Sequence, residues 1–236
     1  TDFPNYNLSV PDMVRFEKWK EDFDSLVAID AVPQFTSLRL PNDHTAGARL
    51  GFPTPRAMVA ENDLAVGKLI EHISHSPIWE ESAVFILEDD AQNGPDHVDA
   101  HRSTAFIASP YAKRNTRVST IYSTTSMLRT IELILGLPPM SQYDAAATPM
   151  WECFTATPDF SPFVSLDASY DIHEMNTEES FISRLSESFN LEVMDAAPDH
   201  LFSQVIWKAV RGLDSEMPAP VRSAFILQQP EEEGEE

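Results

Sequence analysis

"SAVFILEDDAQNGPDHVDAHRSTAFIAS", residues 82–109, is the stretch whose reading decides the fold. Two apolar runs, 82–87 and 103–109, stand between turn formers without interruption. That is the pattern of strands buried in a parallel sheet. The first run leads straight into Glu88, Asp89 and Asp90. Neighbouring carboxylates repel one another and are costly to desolvate. In open α/β sheets ligands bind beyond the carboxyl ends of strands, and paired carboxylates there suit a hard cation. A strand-end turn whose acids face water fits the same residues, and the pattern leaves both readings open. His97 and His101 follow, four residues apart. Histidine in such a place can ligate a metal, donate to an oxyanion, or simply bond its own loop.

Working outward, "VPDMVRFEKWKEDFDSLV" has a helical period with Val14, Phe16, Trp19 and Phe23 apolar. Residues 1–12 are polar and proline-containing and read as an arm or linker. "PQFTSLRLP" (33–41) alternates and reads as a strand, and "NDHTAGARLGFPTP" (42–55) as a loop. Residues 56–74 form a helix with Val59, Val66, Ile70 and Ile73 on one face. "TTSMLRTIELILGLPP" (124–139) is a capped helix with Met127, Leu128, Ile131, Ile134 and Leu135 inside and Gly136 as its stop. Strand–helix–strand alternation of this kind predicts an α/β layered sheet. From about residue 145 an aromatic, proline-rich stretch without period reads as a wrap. Amphipathic helices over 178–190 and 198–212 follow.

The 236 residues carry 38 acids against 16 bases, a formal charge of −22. That excess opposes nucleic acid or an anionic membrane surface as a bulk partner. An anionic small substrate would need a local cation. Part of the excess is the solvated tail "EEEGEE" (231–236). The single cysteine, Cys153, rules out an internal disulfide and a cysteine metal cage. No apolar run reaches the length of a membrane span, and residues 1–25 lack a signal-peptide core.

His44 follows the 33–41 segment within "LPNDHTAG", as a composite site would require, and Asp43 is placed to orient it or bind metal. An Asn-Asp turn is the plain alternative. His72 and His75 share a polar helix face with Lys68 and read as solvated; His173 and His200 are assigned no role. No G-x-S-x-G elbow, P-loop or G-x-G-x-x-G occurs, which removes the serine hydrolases of that type and the common nucleotide folds. Cys153, in an aromatic setting, reads as inert.

Taken together, "LRLPNDHTAG", "PTPRAMVAENDLAVGKLIEHISHSPIW", "VFILEDDAQNGPDHVDAHRSTAFIASPYAKR" and "YSTTSMLRTIELILGLPPMSQYDAAATPM" resemble the bacterial phosphoesterase family. That family contains acid phosphatases and phospholipases C of the alkaline phosphatase superfamily. The resemblance is strongest over residues 30–150 and nearest to the branch found with YVTN-type β-propellers. It implies a three-layer α/β/α sandwich, alkaline-phosphatase-like, present as a partial domain. The expected divisions are an arm and helix (1–30), the C-terminal half of the phosphoesterase core (31–150), a wrap with two helices (151–228) and an acidic tail (229–236).

The resemblance further implies a metal-dependent hydrolase of phosphomonoesters or phosphodiesters, with small phosphoesters or phospholipids as substrates. Asp89 and Asp90 match its metal ligands for a divalent ion of unspecified identity. His97 and His44 match its substrate-side histidines, with Asp43 and His101 as additional candidates. Leu40 stands where two-metal relatives often carry an aspartate, which favours one ion, or a second site built differently. The nucleophile and an early ligand segment have no counterpart here. The expectation is therefore that a missing N-terminal half, or another chain, supplies them. A periplasmic or extracellular setting is implied. The alternative is a non-catalytic structural or surface protein that keeps the fold.

Overall fold

The structure, a computed structural model, describes residues 3–89, 94–96 and 98–222. Asp90, His97 and the acidic tail lie outside the described residues. Helices α1 (Asp12–Ala28) and α2 (Pro55–Ser74) pack side by side. Phe16, Ala65 and Leu69 form their buried seam, with Trp19, Ile70 and Ile73 partly buried around it. The buried face of α2 runs through Met58, Glu61, Ala65 and Leu69. It is turned from the face expected from sequence, for Val59 is 47% exposed. The reason is α1: its aromatic residues meet the alanine side of α2, where backbones approach closely.

α1 begins at Pro11, which offers no side-chain cap. A carboxylate from α2 replaces it. Glu61 accepts hydrogen bonds from the backbone N–H groups of Asp12 (3.0 Å) and Met13 (2.6 Å), two amides that a helix start leaves without partners. Asp12 is fully buried and receives Arg15 (3.1 Å), the Asn42 backbone N–H (2.9 Å) and Asn62 (2.9 Å). Arg15 also donates to the carbonyls of Asn5, Asn7 and Val10. The N-terminal segment expected to be a loose arm is thus fixed in place, and its Leu8 enters the main core.

That core joins distant parts of the chain. Leu8, Ala46, Ala48 and Met58 meet Ile182, Phe189, Leu191, Phe202 and Val205 from α5 (Phe181–Ser188), α6 (Asp199–Arg211) and their connection. Gly47 makes the approach possible. Its φ is +60°, and a Cβ there would stand 2.8 Å from the Ser186 hydroxyl.

Strands β1 (Val84–Leu87) and β2 (Ala105–Ala108) pair antiparallel, with Val84 opposite Ala108 and Leu87 opposite Ala105. The parallel, buried arrangement expected from the apolar runs is not what forms. No crossover helix lies between the strands among the described residues, and an antiparallel return needs none. Phe106 is 62% exposed because nothing described covers that face. Residues 33–40 run without regular structure, since no neighbouring strand among the described residues supplies a ladder. The architecture is mixed helix and small antiparallel sheet, consistent with an α/β fold.

Beyond β2, α3 (Thr124–Leu135) ends on Gly136 in the left-handed region, as expected, and packs on the short α4 (Gln142–Ala146). Its burial departs from the expectation in part: Met127 is buried and Ile131 and Leu135 are half-buried as expected, but Leu128 and Ile134 are not. Ser126, Thr130 and Glu132 are buried beside Met127, while Leu128, Leu133 and Ile134 are exposed. The following segment does wrap. Thr155 and Asp159 bond back to Tyr111 and Pro110, Phe163 bonds Ser74, and Ser165 bonds Glu71 of α2. Arg114 sits 4.3 Å from the Phe163 ring centre.

Candidate functional site

A cavity of about 790 Å³ opens between the end of β1, the 37–44 segment, the N-terminal arm and α6. Its acidic wall holds Asp43, Glu88 and Asp89, with His44 beside them. A short 3-10 turn, Asn42–His44, presents Asp43 and His44. The turn is anchored from behind: the Asn42 backbone N–H donates to Asp12, and its side-chain amide donates to Glu61 (3.1 Å). Thr45 then takes φ 59°, ψ 166°, a conformation that β-branched residues rarely adopt. Its hydroxyl accepts from Gly47 N–H (3.1 Å), and the loop drops into the core at Ala46.

Asp43 keeps an exposed surface, yet it stands in a concave wall. Desolvation, followed by the charges of Glu88, Asp12 and Asp89, pushes its carboxyl up to about 6. So high a value marks a place where negative charge is under-compensated and where a cation would be welcomed. Asp89 is exposed and receives Arg39 at 3.0 Å. Glu88 is held back along the sheet, accepting from the Thr104 hydroxyl at 2.9 Å.

His44 is mostly buried, stacked at a tilt 5.5 Å from Phe202 and met edge-on by Tyr6 at 5.9 Å. Its Nδ1 faces the Thr45 carbonyl at 3.5 Å. Its Nε2 lies 3.8 Å from Asp195 and has no hydrogen-bond partner. Tyr6 Oη and Trp207 Nε1, on the same cavity, are also buried without partners among the described residues. Burial and then the Asp195 charge raise the Tyr6 phenol, which keeps it a donor.

The structure therefore brings Asp43, His44 and Asp89 to one cavity. His101 is elsewhere, exposed and paired with Asp99 at 2.7 Å. Asp90 and His97 fall outside the described residues, and among those described no three His, Cys, Asp or Glu side chains cluster closely enough to hold a metal. Asp96 accepts from Arg102 and from Val98 N–H, which hold its carboxyl at about 2. His72 is not simply solvated, since it bonds Asp24 (2.6 Å) between Trp19 and Phe23. Burial raises the Cys153 thiol, in keeping with an inert residue. Sequence reasoning missed Tyr6, Arg39, Asp195 and Trp207. Only Trp207 carried a signal, as one residue of an amphipathic helix.

The sequence model of the Phosphoesterase family matches residues 53–138. The match covers α2, both strands and α3, and includes Asp89, Asp90, His97 and His101; Asp43 and His44 precede it. It supports the phosphoesterase family and phosphoester hydrolysis, and it does not favour the non-catalytic alternative. No curated protein and no solved structure matches the chain. No helix among the described residues is long and apolar enough to cross a membrane.

Proposed function

We propose that this chain supplies the metal side and part of the substrate side of a phosphoester-hydrolysing centre. The observation that carries the reading is the phosphoesterase match, because it falls on the segment that delivers Glu88 and Asp89 to the cavity shared by Asp43 and His44. Asp89 and Asp90 would hold one divalent cation, with Asp43 as a third carboxylate. The donor chemistry fits, for Asp43, Glu88 and Asp89 are oxygen donors on one cavity wall, and the Asp43 carboxyl is raised by desolvation and then by the neighbouring carboxylates. The donor count among the described residues falls short of three, so Asp90 and groups from outside the chain are needed. When bound, the cation would offset charge on the phosphoryl oxygens.

The chain's own residues do the rest. His44 Nε2, buried and without a partner among the described residues, would donate to a phosphoryl or leaving-group oxygen when the ring carries both protons, since Nδ1–H faces the Thr45 carbonyl. His97 is assigned the same task. His44 is fixed for it by Phe202, Tyr6 and the anchored Asn42. The nucleophile is assigned to a further polypeptide segment that extends the β1–β2 sheet and covers α3. In that assembly the three-layer sandwich would be complete. The sheet edges, unpaired among the described residues, and the exposed α3 face support this. A periplasmic or extracellular phosphoesterase of the propeller-associated branch, acting on phosphomonoesters or phosphodiesters, is the full form of the proposal.

The test is elemental analysis of the complete native polypeptide with an assay on a chromogenic phosphate ester. Stoichiometric divalent metal and metal-dependent turnover are expected, with no turnover by the 236-residue chain alone. A metal-free preparation that still hydrolyses the ester, or a complete polypeptide with no turnover, would overturn the proposal.

A further inference from the structure

Helix α6 has two working faces. Phe202 and Val205 enter the core, while Ser203, Ile206, Trp207, Val210 and Arg211 line the cavity, at helical offsets of three, four, seven and eight. The cavity-facing stripe is apolar through its middle and continues onto Met194 and Tyr6. It is also polar in one specific way. Trp207 Nε1 and Tyr6 Oη are both shielded from water and both without a hydrogen-bond partner among the described residues. A buried donor left unpaired is destabilising, so two on one cavity wall require an explanation. An acceptor brought by a ligand provides one. Arg211, 5.5 Å from the Trp207 ring centre, closes the far end of the stripe. The acidic wall with Asp43, Glu88 and Asp89 lines the same cavity.

We infer that the α6 stripe is the leaving-group subsite of this cavity, and that it takes phosphoesters of organic alcohols with an apolar body and an oxygen acceptor. The inference rests on the phosphoester reading and adds the substrate class to it. Trp207 and the Ile206–Val210 surface hold the apolar body; Trp207 Nε1 and Tyr6 Oη donate to the acceptor oxygen. A cavity of this size holds a drug-sized group, larger than a bare phosphoryl group requires. Compact polyhydroxylated esters would leave the apolar stripe uncovered.

The experiment uses the complete native polypeptide and three non-hydrolysable probes, with and without Mn²⁺: methylphosphonate, 4-methylbenzylphosphonate and 4-methoxybenzylphosphonate. Affinities come from calorimetry, and the Trp207 indole N–H is followed by NMR after assignment with Trp207→Phe. Both aryl probes are expected to bind at least about tenfold tighter than methylphosphonate, from burial of the ring. Both aryl probes should move the indole N–H resonance through their rings, and the methoxy probe should add a downfield shift from the new hydrogen bond. Trp207→Phe should weaken the methoxy probe about three- to tenfold and spare the methyl one, because it deletes the donor and keeps the ring face. 4-Methoxybenzyl alcohol, tested without metal, should shift the same resonance. Equal affinity of all three phosphonates, or no effect of Trp207→Phe on the methoxy probe, overturns the subsite. Methylphosphonate binding that ignores Mn²⁺, while the alcohol still shifts the indole, would uphold the subsite and sink the phosphoester reading instead.

Discussion

Helices α6 and α3 are close in length, 13 and 12 residues, and both are amphipathic by sequence. They end in opposite states. α6 buries Phe202 and Val205 in a core built from four separate segments. α3 buries serine, threonine and glutamate and turns Leu133 and Ile134, 51% and 56% exposed, outward. An apolar stripe specifies that a helix must be covered, but the covering surface must also exist. α6 finds it in the arm, the 46–48 loop and α5. α3 meets the short α4 and the Met150 backbone, Thr130 donating to the Ser126 carbonyl at 2.7 Å and accepting from Met150 N–H at 2.9 Å.

The sharpest way to break this contrast is truncation. Phe202→Ala should cost about 3–5 kcal/mol of stability, against less than about 0.5 kcal/mol for Ile134→Ala. Urea denaturation of both variants decides it, and similar losses would mean that α3 is covered after all. A second comparison uses two glycines with similar backbones. Gly47→Ala meets the Ser186 hydroxyl at 2.8 Å and Val205 at 3.1 Å, whereas Gly136→Ala meets nothing within 4 Å. Both strain a positive φ, at roughly 1 kcal/mol. Gly47→Ala should lose about 1–3 kcal/mol more from overpacking, seen as a lower melting temperature.

The third prediction concerns pH. The Asp43 carboxyl is raised to about 6 in the folded chain. The folded state therefore holds a proton that the unfolded state has already lost, and stability falls as pH rises from about 4 through about 6. Solvent on its open side limits the effect to on the order of 1 kcal/mol. Asp43→Asn should flatten that slope in melting curves, and an unchanged slope would place the charge crowding elsewhere. The smallest effect is expected on the open face. Leu133→Lys with Ile134→Lys should leave stability within about 0.5 kcal/mol and reduce self-association in light scattering.

These pairs also show what the sequence could tell. Element existence was legible, since caps and periods are local: the apolar period over 56–74 marked α2, and Gly136 marked the stop of α3. Which face each helix buries was not, because it depends on neighbours far along the chain. Val59 lost its place to Met58 once α1 and the arm arrived. Strand pairing failed for the same reason, as an apolar run does not name its partner. At the cavity, the acids after β1 and the Asp43–His44 pair were legible by residue type and position. Tyr6, in an aperiodic arm, and Asp195, in a turn at φ 57°, became visible only when the chain closed around them.

The carboxylate of Glu61 has a kinetic consequence. A helix start normally frays, and its first amides exchange with solvent through small local openings. Here the amides of Asp12 and Met13 are released only if Glu61 leaves, and Glu61 also holds the Asn42 side chain. The start of α1, the middle of α2 and the turn bearing His44 then form one cooperative opening unit. Protons on Asp12 and Met13 should exchange in deuterated solvent as slowly as those of the α2 interior. Glu61→Gln should speed the loss at Asp12, Met13 and Asn42 together.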